Sequence, residues 1–299
     1  MMILPKFGLV CITASNQVRY RSVTRKRLLT LTLSEQQQIL RELYHENLRR
    51  LERALQFCQS EMIPLYRLPS SLFPFSDEPF GREILEELAT GLGQIGDRFR
   101  QANIRLVIHP DQFVVLNSDR DIVIENSIKI LQNQAHVLDL LDQPRSAWTT
   151  IEIHGGKSDR AERLVATIAQ LPAEIRSRLA LENDEYAYSA AEILSICQAA
   201  GIPMVFDAHH HVIHEQLSSY DDVTVKQMLD LAQTTWPEPD WQLVHISNGR
   251  DKFADNTHSD FITEMPSAYQ HAPWIEVEAR QKEQAIAQLK QDVRHIWLS

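Results

Sequence analysis

Histidine and carboxylate side chains follow short apolar stretches at several points in this sequence. His109 comes after RLVI, His154 after TTIEI and Glu182 after LAL. Imidazole and carboxylate are ligand types that suit zinc, manganese and iron ions. Eight such residues come from six regions of the chain: His109, His154, Glu182, Asp207, His210, His245, His258 and Glu278. Their types and positions indicate chemistry at divalent metal ions.

A single histidine or acid at the end of a strand usually has a simpler role, as a hydrogen-bonded core residue or as the cap of the next helix. A whole set is harder to explain in this way. Each polar group buried without a partner costs about 1–3 kcal/mol, and metal ions would satisfy many such groups at once. Shared carboxylates would also hold several ions close together, as two-metal phosphodiester chemistry requires.

The elements that must position these residues repeat along the chain, as a short β-branched stretch followed by a long amphipathic one. The predicted strands cover 6–11, 62–65, 105–108, 149–153, 179–181, 204–206, 242–246 and 274–277. The predicted helices include 34–59, 81–101, 121–141, 158–170, 189–199, 222–232 and 280–296. This alternation predicts an α/β fold, a (β/α)8 TIM barrel formed as a single domain over residues 1–299.

In such a barrel, the carboxyl ends of the strands meet on one face, where the active sites of this fold lie. The barrel would therefore gather the candidate ligands at one mouth. No GxGxxG motif follows the first predicted strand, which removes the usual signal of a dinucleotide site. We expect no nucleotide cofactor.

The composition sets weaker bounds on function. The formal net charge of −10 argues mildly against a nucleic-acid partner, although the location of the basic residues matters more than their number. The three cysteines show no CxxC spacing, so they indicate neither a disulfide framework nor a thiolate metal site. No apolar stretch approaches the ~20 residues that cross a bilayer, and no clear signal-peptide pattern is present. We expect a cytoplasmic protein without a membrane partner.

Several segments resemble the ultraviolet damage endonuclease family, a relative of the endonuclease IV-like and xylose isomerase-like barrels. They are RLPSSLFPF, HPDQF, HGG, LEND, DAHHH, HISNG, HSDFI and the closing EAR, and they extend over nearly the whole chain. The resemblance implies a metal-dependent DNA repair endonuclease. It would hydrolyse the phosphodiester immediately 5′ of cyclobutane pyrimidine dimers and 6-4 photoproducts, leaving a 3′-hydroxyl. We expect damaged double-stranded DNA as its partner and a monomeric protein.

The resemblance also implies three divalent metal ions, with manganese favoured over zinc, the ion of the endonuclease IV relatives. One ion would be held by His109, His154 and Glu182. A second would be held by Glu182, Asp207, His245 and Glu278. Glu182 would thus bridge the two, and the third ion would be held by His210 and His258. The expected catalytic carboxylates are Glu182, Asp207 and Glu278.

Two loops are expected to contact DNA. Gln112 and Phe113, in HPDQF, would project from the barrel mouth. In the family, the matching pair probes the duplex and fills the space left by a displaced dinucleotide. Phe113 could instead be a core residue, because two valines follow it. Arg19, Arg21 and Arg25, in QVRYRSVTRKR, would bind phosphates, unless they form an ordinary solvated surface.

Three other functions fit part of the pattern. A sugar isomerase or epimerase would use the same barrel with fewer ions, but it would have no use for an arginine-rich first loop. An abasic-site endonuclease of the endonuclease IV type would differ in its lesion rather than in its chemistry. A lesion-binding protein without catalysis would not need the full ligand set.

Overall fold

The computed structural model describes residues 5–110 and 114–296 and shows a closed barrel of parallel strands in chain order. The strands are β1 (Lys6–Val10), β2 (Leu65–Leu68), β3 (Arg105–Ile108), β4 (Ile151–His154), β5 (Leu179–Glu182), β6 (Met204–Asp207), β7 (Leu243–Ile246) and β8 (Trp274–Val277). The predicted (β/α)8 barrel is confirmed.

Helices surround the strands. They are α1 (Arg25–Leu28), α2 (Leu33–Ser60), α3 (Pro79–Glu86), α4 (Ala89–Gln101), α5 (Asp121–Leu140), α6 (Ala161–Gln170), α7 (Ala173–Arg176), α8 (Ala190–Ala200), α9 (Ala208–His214), α10 (Val223–Gln233) and α11 (Glu283–Ile296). Short 3-10 turns lie at Pro239–Trp241 and Ser267–His271. Within the described ranges, none of these helices has the length and apolar character that crossing a membrane requires.

Local sequence signals fix the ends of the longer helices. The Thr32 side chain accepts a hydrogen bond from the backbone of Glu35, and the Glu35 carboxylate accepts one from the backbone of Thr32, which together begin α2. Ser189 and Glu192 form the same capping box at the start of α8. Gly201 ends α8 at a φ of 67°, a left-handed conformation that glycine adopts without steric cost.

Alternation along the strands divides the apolar residues into two clusters. Outward-facing residues, such as Phe7, Leu106 and Ile275, belong to the large cluster between the strands and the helices. A smaller cluster inside the barrel contains Leu65, Val107, Ala180, Val205, Leu243 and Trp274. This inner layer fills the barrel below the carboxyl ends of the strands, so the interior is a packed core rather than a channel.

A buried arginine closes the amino-terminal end of the barrel. Arg105, the first residue of β3, is fully buried and donates to the carbonyl oxygens of Trp148 (2.6 Å), Trp241 (2.8 Å) and Ala147 (3.1 Å). Its guanidinium carbon lies 4.9 Å from the ring centroid of Trp148 and 5.4 Å from that of Trp274. The one side chain therefore satisfies the carbonyls of two connections and gains cation–π contacts with the rings around it.

The predicted strand 62–65 is wrong, because β2 begins three residues later. Met62, two residues after the end of α2, has a φ of 53°, and the Ile63 N–H donates to the Cys58 carbonyl at 2.8 Å. This bond closes the helix, so residues 61–64 form a turn rather than a strand. The shift places Arg67 on β2. Two smaller differences are that the predicted helix 81–101 is divided into α3 and α4, and that α9 was not predicted.

We predict that Arg105→Met lowers the free energy of unfolding by about 3 kcal/mol, because it leaves several buried carbonyl oxygens without donors. Urea unfolding followed by circular dichroism measures the change. Arg41→Met is the matched control, because Arg41 pairs with Glu87 at the surface. Loss of such an exposed pair costs about 1 kcal/mol or less. Equal destabilisation by the two substitutions would contradict the role of Arg105.

Candidate metal centre

The predicted ligand residues meet at the carboxyl ends of the strands. His154, Glu182 and Asp207 are the last residues of β4, β5 and β6. The parallel register pairs His154 with Glu182, and Asp207 with His245 of β7. Four more lie just beyond β3 and β8, on α9 and on the β7–β8 connection: His109, Glu278, His210 and His258. Closure of the barrel therefore brings together residues that are far apart in sequence.

Glu182 lies at the centre of this cluster and is almost completely buried. One carboxylate oxygen is 2.9 Å from His109 Nε2 and 3.8 Å from His154 Nε2. The other is 2.9 Å from His245 Nδ1 and 3.3 Å from His210 Nδ1. Burial favours the neutral acid, but the neighbouring His245 and His154 and the hydrogen bonds from His109 and His245 outweigh it and hold the pKa of Glu182 well below its usual value. Both oxygens are thus available as anionic ligands.

Three groups of donor atoms in the described ranges combine the predicted residues, and each group has its atoms within 4.8 Å of one another. The groups are His109 with His154 and Glu182, Glu182 with Asp207 and His210, and Asp207 with His245 and Glu278. Adjacent groups share Glu182 or Asp207. Ions bound to them would therefore lie side by side, as multinuclear phosphodiester chemistry requires.

Backbone contacts orient the imidazoles. Nδ1 of His109 is 2.8 Å from the Pro110 carbonyl oxygen, and Nδ1 of His210 is 2.9 Å from the Asn183 carbonyl oxygen. Because a carbonyl oxygen can only accept, each Nδ1 must carry the proton, which leaves the Nε2 lone pair of the neutral ring free to bind a metal ion. His245 is oriented the other way, with Nδ1 toward the cluster. Such contacts fix the tautomer of a metal-binding histidine.

Asp207 is oriented by the start of α9. Its Oδ1 accepts hydrogen bonds from the backbone of His209 (2.6 Å) and His210 (2.8 Å). Asn183 donates to the Asp207 carbonyl at 2.9 Å and accepts from its N–H at 3.0 Å, which joins β5 to β6. The second oxygen, Oδ2, is buried without a hydrogen-bond partner among the described residues. A buried carboxylate oxygen without a donor is costly, so this donor set fits a bound cation.

A buried ion-pair network lies directly beneath the cluster. Arg67 of β2 donates through Nε to Glu276 of β8 at 3.0 Å and through an amino group to Glu278 at 2.6 Å. His245 Nε2 is 2.7 Å from Glu276 and 3.2 Å from Glu152 of β4. Glu152, His245 and Glu276 form a fourth group of metal-ligand type. The Arg67 guanidinium already supplies the cation beside these acids, so we assign this group to the ion-pair network.

The carboxyl pKa values of Glu276 and Glu152 are shifted in opposite directions. Burial favours the neutral form of Glu276, but the Arg67 charge and the bond to His245 lower its pKa to about 2. The pKa of Glu152 is raised by burial and by the nearby Glu276 carboxylate. The sequence patterns did not identify Arg67, Glu152 and Glu276 as parts of the site. A signal was present, because each is a charged residue inside a buried strand, where it requires a counter-charge.

His210 and His258 contact different acids in the cluster. His258, on the β7–β8 connection, has Nδ1 3.9 Å from a Glu278 oxygen. His210 Nε2 is 3.5 Å from Glu185, on the β5–α8 connection. The expectation that His210 and His258 hold the same ion stays a prediction.

The arginines predicted to contact DNA are exposed near the mouth. Arg19 donates to Asn16 at 2.6 Å, and Arg25 lies 3.7 Å from Glu78 with 67% of its side chain exposed. The backbone N–H of Arg21 donates to the Asn47 side chain at 2.8 Å, and the Arg21 side chain is exposed. Gln112 and Phe113 lie outside the described residues, so their predicted role is untested.

We predict that Arg67→Met lowers the free energy of unfolding of metal-free protein by about 3–5 kcal/mol, because it leaves buried carboxylates without a counter-charge. Urea unfolding in a chelator measures the change. A second substitution, Glu276→Gln, should recover part of the loss, since it removes the uncompensated charge. If Arg67→Met were as stable as the native chain, the network would not be the support inferred for it.

Comparisons with known proteins identify the family and the fold. The model of the family "UV-endonuclease UvdE" matches residues 5–297. A relative from Nostoc sp., named UV DNA damage endonuclease, is 54% identical over 96% of this chain and 89% of its own length. The crystal structure of SacUVDE matches with a TM-score of 0.80 at 25% identity, over 96% of this chain and 98% of that one. Endonuclease IV from Thermus thermophilus shares the fold alone, with a TM-score of 0.60 at 15% identity. The match covers 98% of this chain and 99% of that one. This chain therefore belongs to the UV-endonuclease UvdE family.

Proposed function

We propose that this protein is a metal-dependent DNA repair endonuclease that hydrolyses the phosphodiester immediately 5′ of ultraviolet photoproducts and leaves a 3′-hydroxyl. The substrates are duplexes that contain cyclobutane pyrimidine dimers or 6-4 photoproducts. The observation that carries the proposal is the buried Glu182 carboxylate among four histidines, at the barrel mouth of a chain from this family.

The donor set supports three divalent ions, with manganese favoured over zinc. The proposed ligands are His109, His154, Glu182, Asp207, His210, His245, His258 and Glu278. The three carboxylates among them suit manganese and the five imidazoles suit zinc, so the preference for manganese rests on the family resemblance. When bound, such ions supply Lewis-acid activation of a water and charge stabilisation of the leaving oxygen. The unpartnered Asp207 Oδ2 and the two shared carboxylates support ions at neighbouring positions.

The protein's own residues prepare the site for this chemistry. Glu182, Asp207 and Glu278 are the proposed catalytic carboxylates, because they would hold the cations that offset the negative charge of a phosphodiester. Arg67 contacts both Glu278 and His245 and acts as a positioning residue beneath them. Burial of these groups excludes bulk water, so their electrostatic effects on a bound phosphate are larger than at an exposed surface.

The DNA duplex would approach from the open mouth. Arg19, Arg21 and Arg25 are proposed to bind its phosphates, which fixes the duplex without reading sequence, as a lesion-directed enzyme needs. Their exposure at one rim explains how a chain with a net charge of −10 can bind DNA. Gln112 and Phe113 are proposed to enter the duplex at the lesion.

A labelled duplex with one cyclobutane dimer, compared with undamaged and abasic duplexes, tests the function. Cutting directly 5′ of the dimer with manganese, and no cutting after chelation, is expected. Cutting of the abasic duplex alone would indicate an enzyme of the endonuclease IV type. If no duplex is cut while metals are bound, a sugar isomerase becomes the better hypothesis.

We predict that Glu182→Gln reduces incision at the dimer by about 100-fold or more, because a neutral amide cannot bridge two cations. Metal content measured by mass spectrometry should fall as well, while the affinity for the lesion duplex is largely kept. Glu238→Gln is the matched control, because Glu238 is exposed and lies before β7, at the opposite end of the barrel. Full incision by a metal-replete Glu182→Gln protein would contradict the bridging role.

A further inference from the structure

The connection between β5 and α8 is a rigid loop at the barrel mouth. Asp184 is buried, and its Oδ1 accepts hydrogen bonds from the backbone of Tyr186 (2.8 Å), Ala187 and Tyr188 (3.4 Å). The carboxylate thus fixes the backbone of the whole turn. The loop begins directly after Glu182, so its geometry is tied to the metal centre.

Tyr186 extends from this loop into solvent. Its relative exposure is 71%, and in the described ranges it is the only exposed Phe, Tyr or Trp. Its hydroxyl oxygen accepts a hydrogen bond from Asn256 at 3.0 Å, on the connection after β7. The ring is therefore held at its backbone and at its hydroxyl, although its faces are largely uncovered. Fixing the Tyr186 side chain costs conformational entropy. Because the ring is exposed, burial of apolar surface does not offset this cost.

The position of the ring relative to DNA follows from the strand order. In the closed barrel, β5 lies opposite β1, whose following loop carries the exposed arginines. Glu185, the neighbour of Tyr186, is 3.5 Å from His210 Nε2, which places the loop at the edge of the ligand cluster. A duplex that lies across the cluster would therefore contact the arginine rim on one side and Tyr186 on the other.

We propose that Tyr186 stacks on a nucleobase of the bound DNA duplex and forms a second contact rim across the mouth from the arginines. The inference rests on the proposed function and adds a binding residue to it. A pre-fixed aromatic ring suits this role because stacking loses little further side-chain freedom and does not depend on base identity. The Asn256 amide acts as a positioning group, since it holds the hydroxyl rather than the base.

Tyr186→Ala should raise KM for incision of the dimer duplex about tenfold, because one base–aromatic stack is lost. We expect kcat and metal content to stay unchanged, since the ring does not contact the ligand cluster. Tyr186→Phe should keep KM within about threefold, because it retains the ring and loses only a neutral hydrogen bond. Met62→Ala is the control, because Met62 is 74% exposed before β2, at the far end of the barrel.

A second readout uses 2-aminopurine placed in turn at positions beside the dimer. At one position, native protein and Tyr186→Phe should quench its fluorescence, and Tyr186→Ala should not. If native protein cuts the duplex and Tyr186→Ala cuts with unchanged KM and quenching, the inference alone is overturned. If native protein neither cuts nor binds the duplex, the proposed function fails, and the inference fails with it.

Discussion

The burial of one carboxylate among imidazoles is the constraint on which the rest of this structure depends. Glu182 is 1% exposed, and its two oxygens face histidines from β7, α9 and the ends of β3 and β4. An ionised group in that position is tolerated only with compensating charge. Because the partners come from separate strands, a shift of a single residue in strand register would turn a ligand away from the mouth. The barrel must therefore close in one register.

The charge compensation extends below the candidate metal centre. Arg67 links β2 to β8 through Glu276 and Glu278, and His245 links β7 to β4 through Glu152. The same imidazole therefore takes part in the ion-pair network through Nε2 and in the ligand cluster through Nδ1. Fold and site are supported by one set of charges. Buried Arg105 and the apolar layer close the other end of the barrel.

Sequence patterns predicted much of this arrangement. The strands 105–108 and 274–277 coincide with β3 and β8, because β-branched residues between clear turn signals define both. The cluster residues could be found because histidines and acids follow the strands directly. Arg67 was missed because the strand was predicted at 62–65, where the chain forms a turn, and this prediction left Arg67 outside it. In addition, arginine is not a metal ligand, so it was not sought among the site residues. Tyr186 was missed because a loop contact to Asn256 leaves no periodic signal.

Anomalous diffraction from crystals grown with manganese would test the central claim, that Glu182 bridges neighbouring ions. We expect an anomalous peak at bonding distance from each Glu182 oxygen, one shared with His109 and His154 and the other with Asp207. Peaks at both oxygens would show that the buried carboxylate is the common ligand on which the site is built. Fully occupied metal sites that leave Glu182 uncoordinated, or bound through one oxygen only, would contradict the account.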